Sequence, residues 1–194
     1  MKDYCRILFI LLQTGQTLQQ KSIAFPFFPS SHTSKTVASV KNGFVGKIEN
    51  ITFCTWVSFY FFKKDTFIIY DDTNSTKNNG FGLQFYTETG FLAFGDIWYM
   101  YELPPGTKEP ETWHHFCFSF DFFSKNVKFF IDDKMVMDKD DKENLENFTF
   151  TNNLISRFIL GKKFYPSDPP FNGQVTGLNI WSKVLTEKQI KVIG

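Results

Sequence analysis

Histidine and cysteine are scarce in this chain, with three of each in 194 residues. That is too few for a zinc framework built from cysteine and histidine. Charge of one sign is also missing. Lysine and arginine number 21 against 20 aspartate and glutamate, a formal net charge of +1, which excludes a nucleic-acid or membrane-surface partner held by bulk charge. Long apolar runs are absent as well. The run Ile7–Leu12 holds six residues, far short of the roughly 20 that a membrane-spanning helix needs. No glycine-rich loop follows a strand and opens a helix, so phosphate cradles are excluded. No internal repeat and no low-complexity linker divides the chain.

What the chain has in excess is aromatic side chains, 19% of the residues, with 26 phenylalanines. Such a load demands a wide apolar interior or some exposed aromatic surface. The densest stretch is Trp113–Phe122. Phe116, Phe118, Phe120 and Phe122 fall on one face of an extended strand, and His115, Cys117, Ser119 and Asp121 on the other. The same reading gives strands over residues 22–28, 36–40, 52–60, 66–70, 81–86, 90–94, 97–101, 127–131, 135–137, 148–150, 157–161 and 171–181. Asp132-Asp133-Lys134 reads as a hairpin turn, and the mixed charges of residues 138–144 read as a solvated loop. Only the tail looks helical, where Thr186 and Gln189 form a capping-box pattern ahead of Ile190 and Ile193. The expectation is one all-β domain with one short C-terminal helix.

Residues 1–20 read as a secretory signal: Lys2 and Arg6, then Ile7–Leu12, then a polar stretch to Gln20. Its removal takes Cys5 away and leaves Cys54 and Cys117, which secretion would let pair. Three glycosylation sequons suit the same compartment, at Asn50, Asn74 and Asn147. Asn74 is favoured because it lies in a polar, turn-like stretch.

His115-Phe116-Cys117-Phe118-Ser119 resembles the core of the pentraxin signature, His-x-Cys-x-Ser/Thr-Trp-x-Ser/Thr. Other landmarks follow in the family's order. Ala24-Phe25-Pro26 opens the domain, and Ile51-Thr52-Phe53-Cys54 sits where the first disulfide cysteine is found. Val127–Lys134 resembles a strand running into a turn, and Ile159-Leu160-Gly161 and Phe171–Trp181 resemble the closing strands. The resemblance covers residues 22–194. It implies an all-β, two-sheet antiparallel jelly-roll sandwich of the concanavalin A/laminin-G type, a Cys54–Cys117 bridge and secretion. It also implies assembly into a homo-oligomer, a pentamer in many members, and ligand binding through two Ca²⁺ ions. Family members continue past this helix, so a further C-terminal segment is expected that the present chain lacks.

The sequence departs from the pattern in two places. Phe120 stands where the signature has tryptophan, and Phe122 where it has serine or threonine. In the calcium loops, the family's Asp-Asn pair falls near Asn78 and Asn79. Its acidic cluster falls on Lys163, Phe164 and Tyr165, after Leu160-Gly161-Lys162. Asp168 is the remaining acid there, with Asp71 and Asp72 able to contribute by folding back. Calcium needs six to eight oxygens, several of them charged, so calcium dependence is expected to be weakened or lost.

Glycosidases on this architecture need two acids facing a cleft. No Glu-x-Asp-x-x-Glu pattern occurs, and Glu109 and Glu111 read as surface acids of a proline-containing loop. His114 and His115 are adjacent, so on a strand they point to opposite faces and cannot serve one metal or one nucleophile. Trp98, Tyr99, Tyr101, Phe164 and Tyr165 include candidates for stacking on sugars. The expected function is non-enzymatic: a secreted recognition protein for carbohydrate or surface ligands on cells or pathogens. The alternative is a structural or adhesion module of a larger extracellular protein.

Overall fold

The computed structural model describes residues 38–41, 50–60, 65–71, 81–85, 89–94, 97–107, 109–146, 157–160 and 173–194. The expected signal, the strands at 22–28 and 148–150, and the residues Asn74, Asn78, Asn79, Asn147, Phe164, Tyr165 and Asp168 lie outside them.

Among the described residues eleven strands follow in order: β1 (Ala38–Lys41), β2 (Asn50–Phe59), β3 (Asp65–Asp71), β4 (Phe81–Phe85), β5 (Thr89–Phe94), β6 (Ile97–Glu102), β7 (Trp113–Asp121), β8 (Asn126–Ile131), β9 (Lys134–Asp140), β10 (Arg157–Leu160) and β11 (Gly173–Trp181). The helical segments among the described residues are α1 (Lys142–Leu145) and α2 (Glu187–Ile193). The strands form a six-stranded sheet, β1-β10-β3-β4-β5-β6, and a five-stranded sheet, β11-β2-β7-β8-β9. Every neighbouring pair is antiparallel. This is the expected two-sheet jelly-roll sandwich.

Alternation along the strands builds the core between the sheets. From the five-stranded sheet come Ile51, Phe53, Val57 and Phe59 of β2, Phe116, Phe118 and Phe120 of β7, and Val127, Phe129 and Ile131 of β8. From the six-stranded sheet come Leu83 and Phe85 of β4, Leu92 of β5, and Tyr99 and Tyr101 of β6. Phe85 joins the layers, its ring 5.3 Å from Phe59 and 5.1 Å from Phe116, both edge-on. Tyr101 does the same against Phe129 at 4.6 Å. Gly90 pairs with Tyr101 across β5 and β6, and a side chain at position 90 would overlap the tyrosine ring. Gly90→Ala should therefore destabilise the fold by about 1–3 kcal/mol, as overpacking does. A denaturation midpoint within error of the native value would show that Tyr101 does not depend on that gap.

The second face of β7 is buried too. Cys54, Cys117 and Phe130 pack beneath Leu185 and Ile190, with Trp181 and Ile193 at the margin. Helix α2 thus covers part of the outer face of the five-stranded sheet. Its start is fixed by the capping box read from the sequence: the Thr186 hydroxyl accepts from the Gln189 N–H, and the Gln189 side chain accepts from the Thr186 N–H. Thr52 anchors the approach to the helix, donating to the Lys183 carbonyl at 2.7 Å and accepting from the Leu185 N–H at 2.9 Å.

Two expectations need correction. The charge run is not a loop from its start. Asp138, Lys139 and Asp140 continue β9 as exposed edge positions, and residues 142–145 form a helical turn capped by Asp141. Mixed charge is compatible with a solvated edge strand, where it discourages pairing with another chain. The tail is accordingly not the only helical segment.

Candidate functional site

Strand β6 presents Trp98, Met100 and Glu102 outward while Tyr99 and Tyr101 point into the core. Register places Ala93 opposite Trp98, Phe91 opposite Met100 and Gln84 opposite Phe91. The outer face of β4–β6 therefore carries Trp98, Phe91 and Met100 together, with Gln84 buried beside them. Phe91 meets Trp98 edge-on at 6.4 Å. Trp98 keeps 36% of its surface exposed and Met100 66%. Large apolar side chains left clustered in water mark a contact surface more often than a structural need.

Beside this face lies an open groove of about 460 Å³, lined by residues 100–105 and Val136. It runs between the edge strands of the two sheets, β6 and β9. Tyr99 secures that edge from below. Its hydroxyl donates to Asp141 Oδ2 at 2.9 Å. Burial, followed by that bond and the negative charge, pushes the phenol well above its ordinary range. Asp141 also accepts from the Asn144 N–H and side-chain amide, and this holds its carboxyl below the usual carboxylate range.

Of the five aromatic residues that held candidates for stacking, Trp98 is exposed, and Phe164 and Tyr165 lie outside the described residues. Tyr99 and Tyr101 are core residues. Sequence reasoning did not single out Phe91 and Met100. A usable signal existed: only Gly95 and Asp96 separate β5 from β6, and a two-residue connection sets the register that brings Phe91 beside Met100 and Trp98.

The Cys54–Cys117 disulfide joins directly opposed residues of β2 and β7. His115 Nε2 lies 3.5 Å from Cys117 Sγ, so these three residues cluster closely enough to hold a metal. The disulfide engages both sulfurs, and the cluster is a packing feature. The adjacent histidines point to opposite faces. His114 Nδ1 is 2.7 Å from Asp132 Oδ2, while the ring of His115 lies 5.0 Å from that of Trp56. Asp132 and Asp133 form the two-residue β8–β9 turn, both with positive φ, and Asp132 Oδ1 accepts the His115 N–H at 2.9 Å.

Burial lowers the His115 pKa from 6.5, against the opposing pull of Asp133 and Asp132. The unfolded chain therefore takes up a proton more readily than the folded one. This contribution to stability is whole above about pH 6.5 and falls away as the pH drops below it. Tm should decline on acidification through that range, and His115→Asn should flatten the decline. An unchanged slope in the variant would assign the effect to other groups.

Asn50 Oδ1 accepts from the Phe122 N–H at 3.1 Å, and Thr52 of the same sequon is fully buried. Both sequon side chains are thus engaged within the fold. Glu109 and Glu111 are exposed in the turns between β6 and β7. No helix among the described residues is long and apolar enough to cross a membrane.

Residues 32–191 match the sequence family described as the concanavalin A-like lectin/glucanases superfamily. No curated protein matches the chain in sequence. Among solved structures, the native heptameric SAP-like pentraxin from Limulus polyphemus superposes with a TM-score of 0.58 at 11% identity, over 77% of this chain and 71% of the pentraxin. Domain 4 of an extracellular GH43 arabinanase from Geobacillus stearothermophilus, in complex with arabinotriose, gives 0.60 at 22% identity, over 80% and 70%. The CBM40 of a Ruminococcus gnavus IT-sialidase, bound to α2,3-sialyllactose, gives 0.57 at 16% identity, over 76% and 84%. At these identities the likeness is one of fold.

Proposed function

This chain belongs to the concanavalin A-like lectin/glucanases superfamily, and we propose that it is a non-catalytic carbohydrate-binding protein using the outer face of β4–β6. The observation that carries the reading is Trp98: a half-exposed indole held edge-on to Phe91, on a sheet face with an adjoining groove. An aromatic face can stack on the C–H face of a sugar ring, and neighbouring polar groups can orient its hydroxyls. Several fold neighbours carry sugars, including arabinotriose and sialyllactose, which supports the ligand class.

The finer reading is a secreted, pentraxin-like recognition protein for carbohydrate or cell-surface and pathogen ligands. The internal disulfide and the likeness to a pentraxin support it. Calcium dependence is weak or absent in this proposal. Lys163, Phe164 and Tyr165 stand where the family has its calcium-binding acidic cluster, and Asn78 and Asn79 offer oxygen without charge. Ring assembly is included, and sedimentation as a single copy at ligand-binding concentrations would remove it.

A glycan array probed with the native chain and with Trp98→Ala tests the reading. The native chain should bind a defined subset of glycans, and Trp98→Ala should lose that signal with Tm nearly unchanged. Silence of the native chain across the array would favour a structural or adhesion module. In parallel, excess Ca²⁺ and a chelator should give the same Tm. A rise with Ca²⁺ would show that the native state binds the ion and would overturn the calcium part.

A further inference from the structure

We propose that the helix-bearing sheet carries a second binding platform, for a neutral oligosaccharide, made by Trp113, Trp56, Ser58, Tyr60, Gln174 and Thr176. The proposal rests on reading the domain as a sugar binder, but it concerns the opposite sheet from Trp98.

Register brings these residues together. Ser58 of β2 pairs with Trp113 of β7 on one side and with Gln174 of β11 on the other, and Trp56 pairs with His115 and Thr176. Trp56 and Ser58 share the face of Cys54, which is the face covered by α2. The helix packs over Cys54, Cys117 and Phe130, and its C-cap Gly194 reaches His115. The platform lies further along the same strands.

Trp113 leaves 39% of its surface in water, at the end of a strand whose next seven residues are buried. Trp56 is half-buried, and its ring is held against His115, 5.0 Å away and inclined by 30°. The Gln174 side-chain amide donates to the Tyr60 hydroxyl, which orients both groups beside the rings. Neighbouring strands lie about 4.8 Å apart. Trp113 and Gln174, two strands apart, are therefore separated by roughly 10 Å, near the length of a disaccharide.

The chemistry selects the ligand. Two indoles, a phenol, an amide and the Thr176 hydroxyl supply stacking surface and hydrogen bonds, while Ser58 lies buried between Trp113 and Gln174 and spaces them. None of the six is charged. Glu111 is exposed close by, its N–H bonded to the Phe59 carbonyl. An anionic ligand would find no lysine or arginine in the set to pair with and a carboxylate nearby. Neutral, hydroxyl-rich chains fit best.

The test uses the Trp98→Ala chain, so that the first face is silent, and follows indole fluorescence during titration with cellotriose, maltotriose and xylotriose. At least one should give a saturable change. Trp113→Ala and Gln174→Ala, each added to this background, should weaken it about tenfold or more, and Trp113→Phe should retain most of it. Equal Tm values across the set establish that each variant is folded. The second platform is overturned if the native chain responds to these sugars and Trp98→Ala abolishes the response. It is also overturned if the response survives Trp113→Ala, or if Trp113→Ala turns a sedimenting dimer into a monomer, since the surface then belongs to a second copy. No response of the native chain to these three sugars would overturn the second platform alone, whereas silence across the glycan array would sink the reading beneath both.

Discussion

Phe116→Ala should lower stability by about 3–5 kcal/mol, the range for truncating a fully buried phenylalanine. The ring has no exposed surface. It touches both layers, 5.1 Å from Phe85 of the six-stranded sheet and within 6.3 Å of Phe59 and Phe129 in its own. Neither sheet can close on the void without moving the other, so collapse should recover little. Domains of this size are commonly stable by only about 5–15 kcal/mol, so the variant should lose roughly a fifth or more of its margin. For about 150–250 residues each kcal/mol is worth roughly 2–4 °C, which puts the fall in Tm on the order of 10 °C. Phe123→Ala is the control. That ring is 73% exposed, and its loss should change stability by no more than about 0.5 kcal/mol. A loss below about 2 kcal/mol for Phe116→Ala would fall outside the buried-aromatic range and would contradict its place at the centre of the core.

Removing the disulfide, by Cys54→Ala with Cys117→Ala, should cost a comparable amount. The bridged residues are separated by 63 positions. The chain-entropy account puts the stabilisation from closing such a loop at about 4 kcal/mol. Lost sulfur packing against Leu185 and Ile190 adds to it. Urea unfolding should show a lower midpoint together with a steeper dependence on urea, because the unlinked unfolded chain exposes more surface. Equal midpoints for the native and double-alanine chains would mean that β2–β7 pairing and α2 hold this region without the covalent link.

The sandwich was legible because its strands alternate. In β7 and β2 the aromatic parity points straight at the core, and the opposite parity carries Cys117 and Cys54, which the register sets side by side. Less legible was that the other parity of β7 is buried as well. Alternation identifies which residues share a face, but only the docking of α2 and its C-cap determines that Cys117 and His115 are covered. Bulges were invisible for a similar reason. At Gly177, with φ of 60°, β11 gains a residue, which turns Leu178 and Ile180 inward and Trp181 outward. A period of two cannot anticipate such a shift. The charge run misled because solvated loops and solvated edge strands have the same composition.

The candidate site was half legible. Trp98 could be named as a ring able to meet a sugar, whereas Tyr99 and Tyr101 turned out to be core residues. Neighbours on β6 differ by face, and the parity that exposes Trp98 and Met100 buries the two tyrosines. Trp113 stands at the start of the most aromatic strand, and its exposure depends on where α2 stops covering the sheet.

The most direct measurement of the central claim is a titration of the native chain with its best array glycan, followed at the side-chain N–H resonances of the four tryptophans. The Trp98 indole resonance should shift with saturation, while that of Trp181, packed against the cluster under α2, should stay in place. A glycan that binds and leaves Trp98 unmoved would contradict that claim.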